Sequence, residues 1–171
     1  MRRYSPRTAR ATPKSLRSSM SQEDPYLSKS APKDYSVCRQ CSAMYHNKHW
    51  SLKAKSDPIM KKMTGTALCP GCQKIQDRFP AGILSLRGAF MKSHKDEILH
   101  RIKNEEQRAL GFNPLSRIIE IHEFNGMIEI TTTNEKLAQR IGKSLHKAFK
   151  GHLTYKWSGN NKFTRVDWMR E

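Results

Sequence analysis

Every cysteine in the chain belongs to one of two Cys-x-x-Cys pairs, Cys38-Arg39-Gln40-Cys41 and Cys69-Pro70-Gly71-Cys72, with 27 residues between them. Two intervening residues let both sulfurs of a pair face one ion at about 2.3 Å, and two such pairs complete a closed tetrahedron. The spacing predicts one four-cysteine zinc site with Cys38, Cys41, Cys69 and Cys72 as ligands. Metal binding then becomes folding energy for the segment that carries them. Gly71, just before the last sulfur, is expected to supply the positive φ of a tight turn, which Pro70 stiffens.

Other uses of these cysteines fit less well. A disulfide framework needs an oxidising compartment, and the first twenty residues hold no apolar run of the length a secretory signal requires. A thioredoxin-like redox pair would leave the other Cys-x-x-Cys unemployed, and neither pair opens a βαβ unit. His46 and His49 follow the first pair closely, yet a local site of two cysteines and two histidines would orphan the second pair. A catalytic zinc keeps a position open for water, with a carboxylate nearby to move protons. Four thiolates close the shell, and the acids between residues 37 and 90 are Asp57 and Asp77, neither in a hydrolytic motif. The metal is therefore read as structural, with no enzyme activity and no small-molecule substrate expected.

Charge points to the partner. Thirty-two Lys and Arg against fifteen Asp and Glu give a formal net charge of +17, which attracts polyanions and opposes self-association. Nucleic acid is the expected partner and a monomer the expected state. An acidic membrane is the competing polyanion, but no segment approaches the run of about eighteen apolar residues that a spanning helix needs, and no lipidation motif is present. A soluble, cytoplasmic protein is expected.

The chain divides into four parts of an α+β protein. Residues 1 to 33 are rich in proline, serine and arginine and poor in large apolar side chains, a composition that cannot bury enough surface to fold alone. They are read as a disordered basic arm, which either orders along a phosphate backbone or serves as a solubilising tail. Residues 34 to 90 form the zinc-ribbon module, where nine Lys and Arg face three acids. Arg39 inside the first knuckle, Lys48, and Lys61 and Lys62 in the insert are candidate phosphate contacts. Trp50, like Tyr45, either stacks on a base or packs over the zinc site.

Residues 91 to 113 are predicted as a linking helix. It is capped by Ser93-x-x-Asp96, carries a narrow stripe of Ile98, Leu99, Ile102 and Ala109, and stops at Gly111 before Pro114. Its mixed charge suggests a solvated strut.

Residues 114 to 171 read as a ββαββ domain. Phe124-Asn125-Gly126-Met127 is a hairpin turn, because Asn-Gly accepts the two positive φ angles of a type I′ turn. That register pairs Ile121 with Ile130. Thr132-x-x-Glu135 is expected to cap a helix whose Leu137, Ile141, Leu145 and Phe149 cover the sheet. On its other side Lys136, Arg140, Lys143, Lys147 and Lys150 form one positive ridge without acidic partners at i+4, either a phosphate-binding face or a solvated one. A last hairpin, turning near Gly159-Asn160, places Leu153, Tyr155, Val166 and Trp168 on one face. Lys156, Phe163 and Arg165 share the other, as a platform for stacking single strands unless Phe163 packs beneath another element.

The order of Cys-x-x-Cys, Tyr45, Trp50, Leu68-Cys69-Pro70-Gly71-Cys72, Asp77-Arg78-Phe79-Pro80-Ala81-Gly82, Asn104-Glu105-Glu106 and Asn113-Pro114-Leu115 resembles a family of small bacterial zinc-ribbon proteins. That family is distantly similar to the amino-terminal zinc-binding region of the archaeal and eukaryotic large-ribosomal-subunit export adaptor of the nonsense-mediated-decay family. The near likeness spans residues 36 to 171; the distant one rests on the two knuckles and the Thr131-Thr132-Thr133 step. It implies a ribosome-associated role, with the four cysteines as ligands. One departure is that the adaptor carries more than one set of paired knuckles, whereas four cysteines allow a single zinc. The expectation is a zinc-binding protein that docks on the ribosome through large-subunit ribosomal RNA and modulates its assembly, stability or activity. The alternative is a DNA-binding transcriptional regulator that uses the ribbon or the basic helix.

Overall fold

The structure is a computed structural model, and it describes residues 26, 32–52, 58–62, 65–158 and 163–171. Most of the basic arm and the Gly159-Asn160 turn lie outside the described residues. The rest is a mixed α+β protein with two sheets and four α-helices among the described residues.

The first sheet is small. Strands β1 (Ser36–Cys38), β2 (Met44–His46), β3 (His49–Ser51) and β4 (Gly65–Ala67) lie in the order β3-β2-β1-β4. β1 pairs antiparallel with β2 and parallel with β4. The β2–β3 turn is Asn47-Lys48 with φ of 51° and 59°, two left-handed residues of the kind a two-residue hairpin requires. Asp34 holds it from outside: its carboxylate accepts from the Asn47 N–H at 3.0 Å and pairs with His46 Nδ1 at 3.1 Å. A 3-10 turn at Pro58–Lys62 precedes β4, and helix α1 (Pro70–Gln76) follows it.

The second sheet runs through β5 (Gly82–Arg87), α2 (Ala89–Ser93), α3 (Lys95–Phe112), β6 (Ile118–Phe124), β7 (Met127–Thr132), α4 (Glu135–Phe149), β8 (His152–Trp157) and β9 (Thr164–Met169). Its order is β6-β7-β5-β9-β8. β7 lies antiparallel between β5 and β6, so β5 and β6 form a split βαβ unit joined through α2 and α3. Residues 114 to 171 supply β6, β7, α4, β8 and β9 in the expected ββαββ order, but the sheet is not theirs alone: a fifth strand, β5, comes from within residues 34 to 90 and occupies its centre. Gly82, Leu84 and Leu86 are buried there, and the strand pairs antiparallel with β7 and parallel with β9.

The linking helix is corrected as well. Ser93 ends α2, with its hydroxyl donating to the Ala89 and Phe90 carbonyls at 3.4 and 3.2 Å, and the chain breaks at His94 before α3 begins. α3 runs through Gly111 to Phe112. It is no strut: Ile98, Ile102 and Ala109 join Leu137, Ile141 and Leu145 of α4 over Leu84, Ile128, Ile130, Val166 and Trp168 in one core. The 3.6-residue stripe that looked narrow is enough, because α3 covers its share of the sheet beside α4.

The hairpin is as read. Asn125 and Gly126 take φ of 48° and 71°, and Ile121 pairs with Ile130. α4 is capped by Asn134, whose Oδ1 accepts from the Leu137 N–H at 2.9 Å, in place of Thr132. Thr132 is fully buried, and its hydroxyl donates to the Asn134 and Gly82 carbonyls at 2.8 and 3.2 Å.

Candidate metal centre and cationic surfaces

The local sequence brings the four sulfurs together in two different ways. β1 delivers Cys38, and the turn after it, with Ser42 at φ 61°, folds Cys41 back beside it; the Ser42 N–H donates to the Cys38 carbonyl at 2.9 Å. The second pair is no β-knuckle. Cys69 is the N-cap of α1, its sulfur accepting from the Cys72 N–H at 3.4 Å, and Pro70 is the first helical residue, where a missing N–H costs nothing. One turn of helix then puts Cys72 beside Cys69.

Gly71 corrects the expected turn. It lies within α1 and is not among the positive-φ residues. A Cβ there would come within 3.0 Å of Leu115 Cα and 3.1 Å of its carbonyl oxygen, so glycine permits close approach of α1 to the segment that enters β6. Lys74, also buried, donates to the Thr133 carbonyl at 3.3 Å. These contacts dock the metal helix on the second sheet.

The four ligand atoms lie within 4.8 Å of one another, and Cys41 Sγ is 3.6 Å from Cys69 Sγ. A tetrahedron with metal–sulfur bonds of about 2.3 Å has edges of about 3.8 Å, so the cluster fits a metal ion. A disulfide would need about 2.05 Å, and all four cysteines are free. Cys38, Cys69 and Cys72 are buried, and Cys41 is half-buried.

Charge in so small a volume is selective. Burial raises the Cys38 thiol, but hydrogen bonds from the backbones of Cys69, Cys41 and Gln40 outweigh it and bring the group down to about 6. Burial dominates at Cys69, with the Cys41 and Cys38 sulfurs adding to it, and pushes that thiol up to about 12. Cys72 is also raised, by burial and by Cys69 and Cys41. Four adjacent thiolates need a central cation, so metal uptake displaces protons and strengthens as pH rises.

Tyr45 and Trp50, each 7% exposed, pack on each other at 5.2 Å and join the cysteines in a second small core. This corrects the candidate base contact at Trp50: its ring is packed into the small core around the four cysteines. His46 is held by Asp34 and stacks on Tyr35 at 4.4 Å, outside the cysteine cluster.

The candidate cations fall on separate surfaces. Arg39, Lys48, Lys61 and Lys62 are exposed on the metal module. Lys48 holds a left-handed conformation that costs an L-residue about 1 to 2 kcal/mol, which the two-residue β2–β3 turn imposes. Lys48→Gly should relieve that strain, partly offset by the added freedom of the unfolded chain, for a net gain of about 0.5 to 1 kcal/mol. A denaturant titration checks this, and a destabilised variant would show that the lysine contributes to the fold.

On α4, Lys136, Lys143, Lys147 and Lys150 are exposed, whereas Arg140 is not a free member of the ridge. Its Nε and Nη2 both donate to Glu105 Oε1 of α3, at 3.0 and 2.8 Å. The i+4 rule looks only along one helix, so sequence reasoning missed this partner. Lys156 and Arg165 are direct cross-strand partners on the sheet face away from α4, and the Arg165 guanidinium lies 5.7 Å over the half-buried Phe163 ring. Trp157, unassigned from sequence, is 65% exposed at the end of edge strand β8. The signal was available, since alternation along β8 carries the Leu153 and Tyr155 face past the end of the core.

No helix among the described residues is long and apolar enough to cross a membrane. No family model, curated protein or solved structure matches the chain.

Proposed function

We propose that the chain is a zinc-binding, RNA-binding protein that docks on the ribosome through large-subunit ribosomal RNA and modulates ribosome assembly, stability or activity. The observation that carries the reading is the outer face of α4, where Lys136, Lys143, Lys147 and Lys150 all stand in solvent on a helix with no acid after Glu135. Lys147 and Lys150 complement the C-terminal end of the helix dipole, but Lys136 and Lys143 gain nothing from it and the row as a whole repels itself, so its use lies in an anionic partner. The distant likeness of the paired Cys-x-x-Cys sequences to those of the ribosomal export adaptor supports ribosomal RNA as that partner.

Zinc is the ion this donor set favours, since four soft thiolates select it over hard cations. With every tetrahedral position taken by sulfur, the ion supplies folding energy and has no place for an activated water. Within this reading, the chain's own part is to hold α1 against Leu115 and Thr133 and so to fix the metal module's cations relative to those of the second sheet.

Co-sedimentation with purified ribosomal subunits, challenged by duplex DNA at equal phosphate concentration, tests the proposal. The protein should pellet with the large subunit and stay there in the presence of DNA. Equal competition by DNA would favour a groove-binding regulator instead, and metal-dependent RNA turnover would point to a hydrolase.

A further inference from the structure

We infer that Trp157 is a stacking site for an unpaired nucleic-acid base, with the neighbouring phosphates held by lysines of α4. This rests on the RNA-binding reading above and names where a single strand would cross the molecule. Trp50 and Trp168 are 7% and 0% exposed, whereas Trp157 leaves 65% of its surface in solvent. The ring is not loose. It stacks on Tyr155 with centroids 5.6 Å apart and planes 19° from parallel, and Tyr155 packs against the main core. One face is therefore backed by a positioned aromatic ring, and the exposed surface is available to a base, whose stacking needs no sequence-specific contact.

The surroundings supply the charge that a solely apolar contact would lack. Thr164 is the direct cross-strand partner of Trp157, and the Gln139 side chain donates to the Thr164 hydroxyl at 3.3 Å. This bond sets the N-terminal half of α4 beside the Trp157 end of β8. Lys136 and Lys143 lie three residues before and four after Gln139, both exposed, so one lysine stands a helical turn to either side of that contact. On the other face of the sheet are Lys156 and its partner Arg165. Successive strand residues point to opposite faces, and β8 is the sheet edge. A strand passing over that edge meets α4 lysines and Trp157 on one side and Lys156 and Arg165 on the other. Trp157 thus links two cationic surfaces that the sheet otherwise separates. An aromatic ring between cations is the arrangement of a single-strand site; duplex nucleic acid, with its bases already stacked, has no use for it.

The test titrates the full chain, metal loaded, with a short oligoadenylate and with an RNA duplex of equal charge, following tryptophan fluorescence and affinity. Oligoadenylate should quench the parent, because Trp157 is the exposed emitter, and the duplex should quench it little. Trp157→Ala should weaken oligoadenylate binding about tenfold or more, within the range of one base stack, while duplex affinity stays within about twofold. Trp157→Phe, which keeps a ring, should retain most of the affinity and lose the quenching, and it carries the test should the alanine variant melt early. Unchanged oligoadenylate affinity in the alanine variant, with quenching surviving in Trp157→Phe, would overturn the site while leaving RNA binding by the lysines intact. A parent that binds neither RNA would overturn both readings.

Discussion

Cys69→Ser should release the bound metal and unfold the metal module, residues 36 to 80. No other side chain in the module has as many roles. Cys69 is fully buried, lies 3.6 Å from Cys41 Sγ, accepts from the Cys72 N–H as the cap of α1, and its own N–H donates to Cys38 Sγ at 3.4 Å. A serine oxygen is harder and shorter-reaching, so the vertex of the tetrahedron is lost even though the cap survives. Binding of a structural zinc is worth about 10 to 16 kcal/mol, as much as the whole stability of an ordinary domain. Losing a ligand therefore removes the module's main source of folding energy, since its own core is a handful of side chains around the cysteines. The measurements are metal content per chain and the loss of near-ultraviolet signal from Tyr45 and Trp50, which pack on the cluster. A variant that retains one metal per chain would show that the ligand set is wrong.

Changing Lys136, Lys143 and Lys147 together to Gln should weaken RNA association by about a hundredfold at 0.1 M salt and make the salt slope shallower by about 2, if each lysine neutralises one phosphate of a single strand. Thermal stability should hold or rise slightly, because Gln keeps helix propensity and removes like-charge repulsion. Arg140 belongs in a separate variant. Its guanidinium satisfies a Glu105 carboxylate that is nearly buried, with Arg108 only at 3.8 Å on the other oxygen. Arg140→Gln should therefore lower stability by about 1 to 2 kcal/mol, a figure reduced from that of a fully buried pair because the arginine side chain is 41% exposed. Salt-series co-sedimentation and thermal melts separate the two effects. If the triple variant pellets with ribosomes as the parent does at every salt concentration, the α4 face is only solvated and the binding surface lies elsewhere.

What could be read from the amino-acid order alone was what short-range geometry controls. Two residues between cysteines set which sulfurs can share an ion, and the cluster assembles as that spacing requires. Asn125-Gly126 sets the turn and hence the Ile121–Ile130 pairing. The four-residue spacing of Leu137, Ile141 and Leu145 sets which face of α4 is buried. In each case the interacting groups are a few residues apart, or a turn has only one favourable backbone conformation. Tertiary structure decided the rest. β5 pairs with β9 about eighty residues downstream, and nothing local distinguishes a six-residue alternating strand that joins the near sheet from one that joins the far sheet. The same distance hid Glu105 from Arg140, Leu115 from Gly71, and the core that α3 helps to build. Trp50 and Trp157 make the point most simply. Both are tryptophans next to basic residues near a strand end, and only the assembled fold encloses one with the cysteines and leaves the other in solvent, because burial is set by what arrives from elsewhere in the chain.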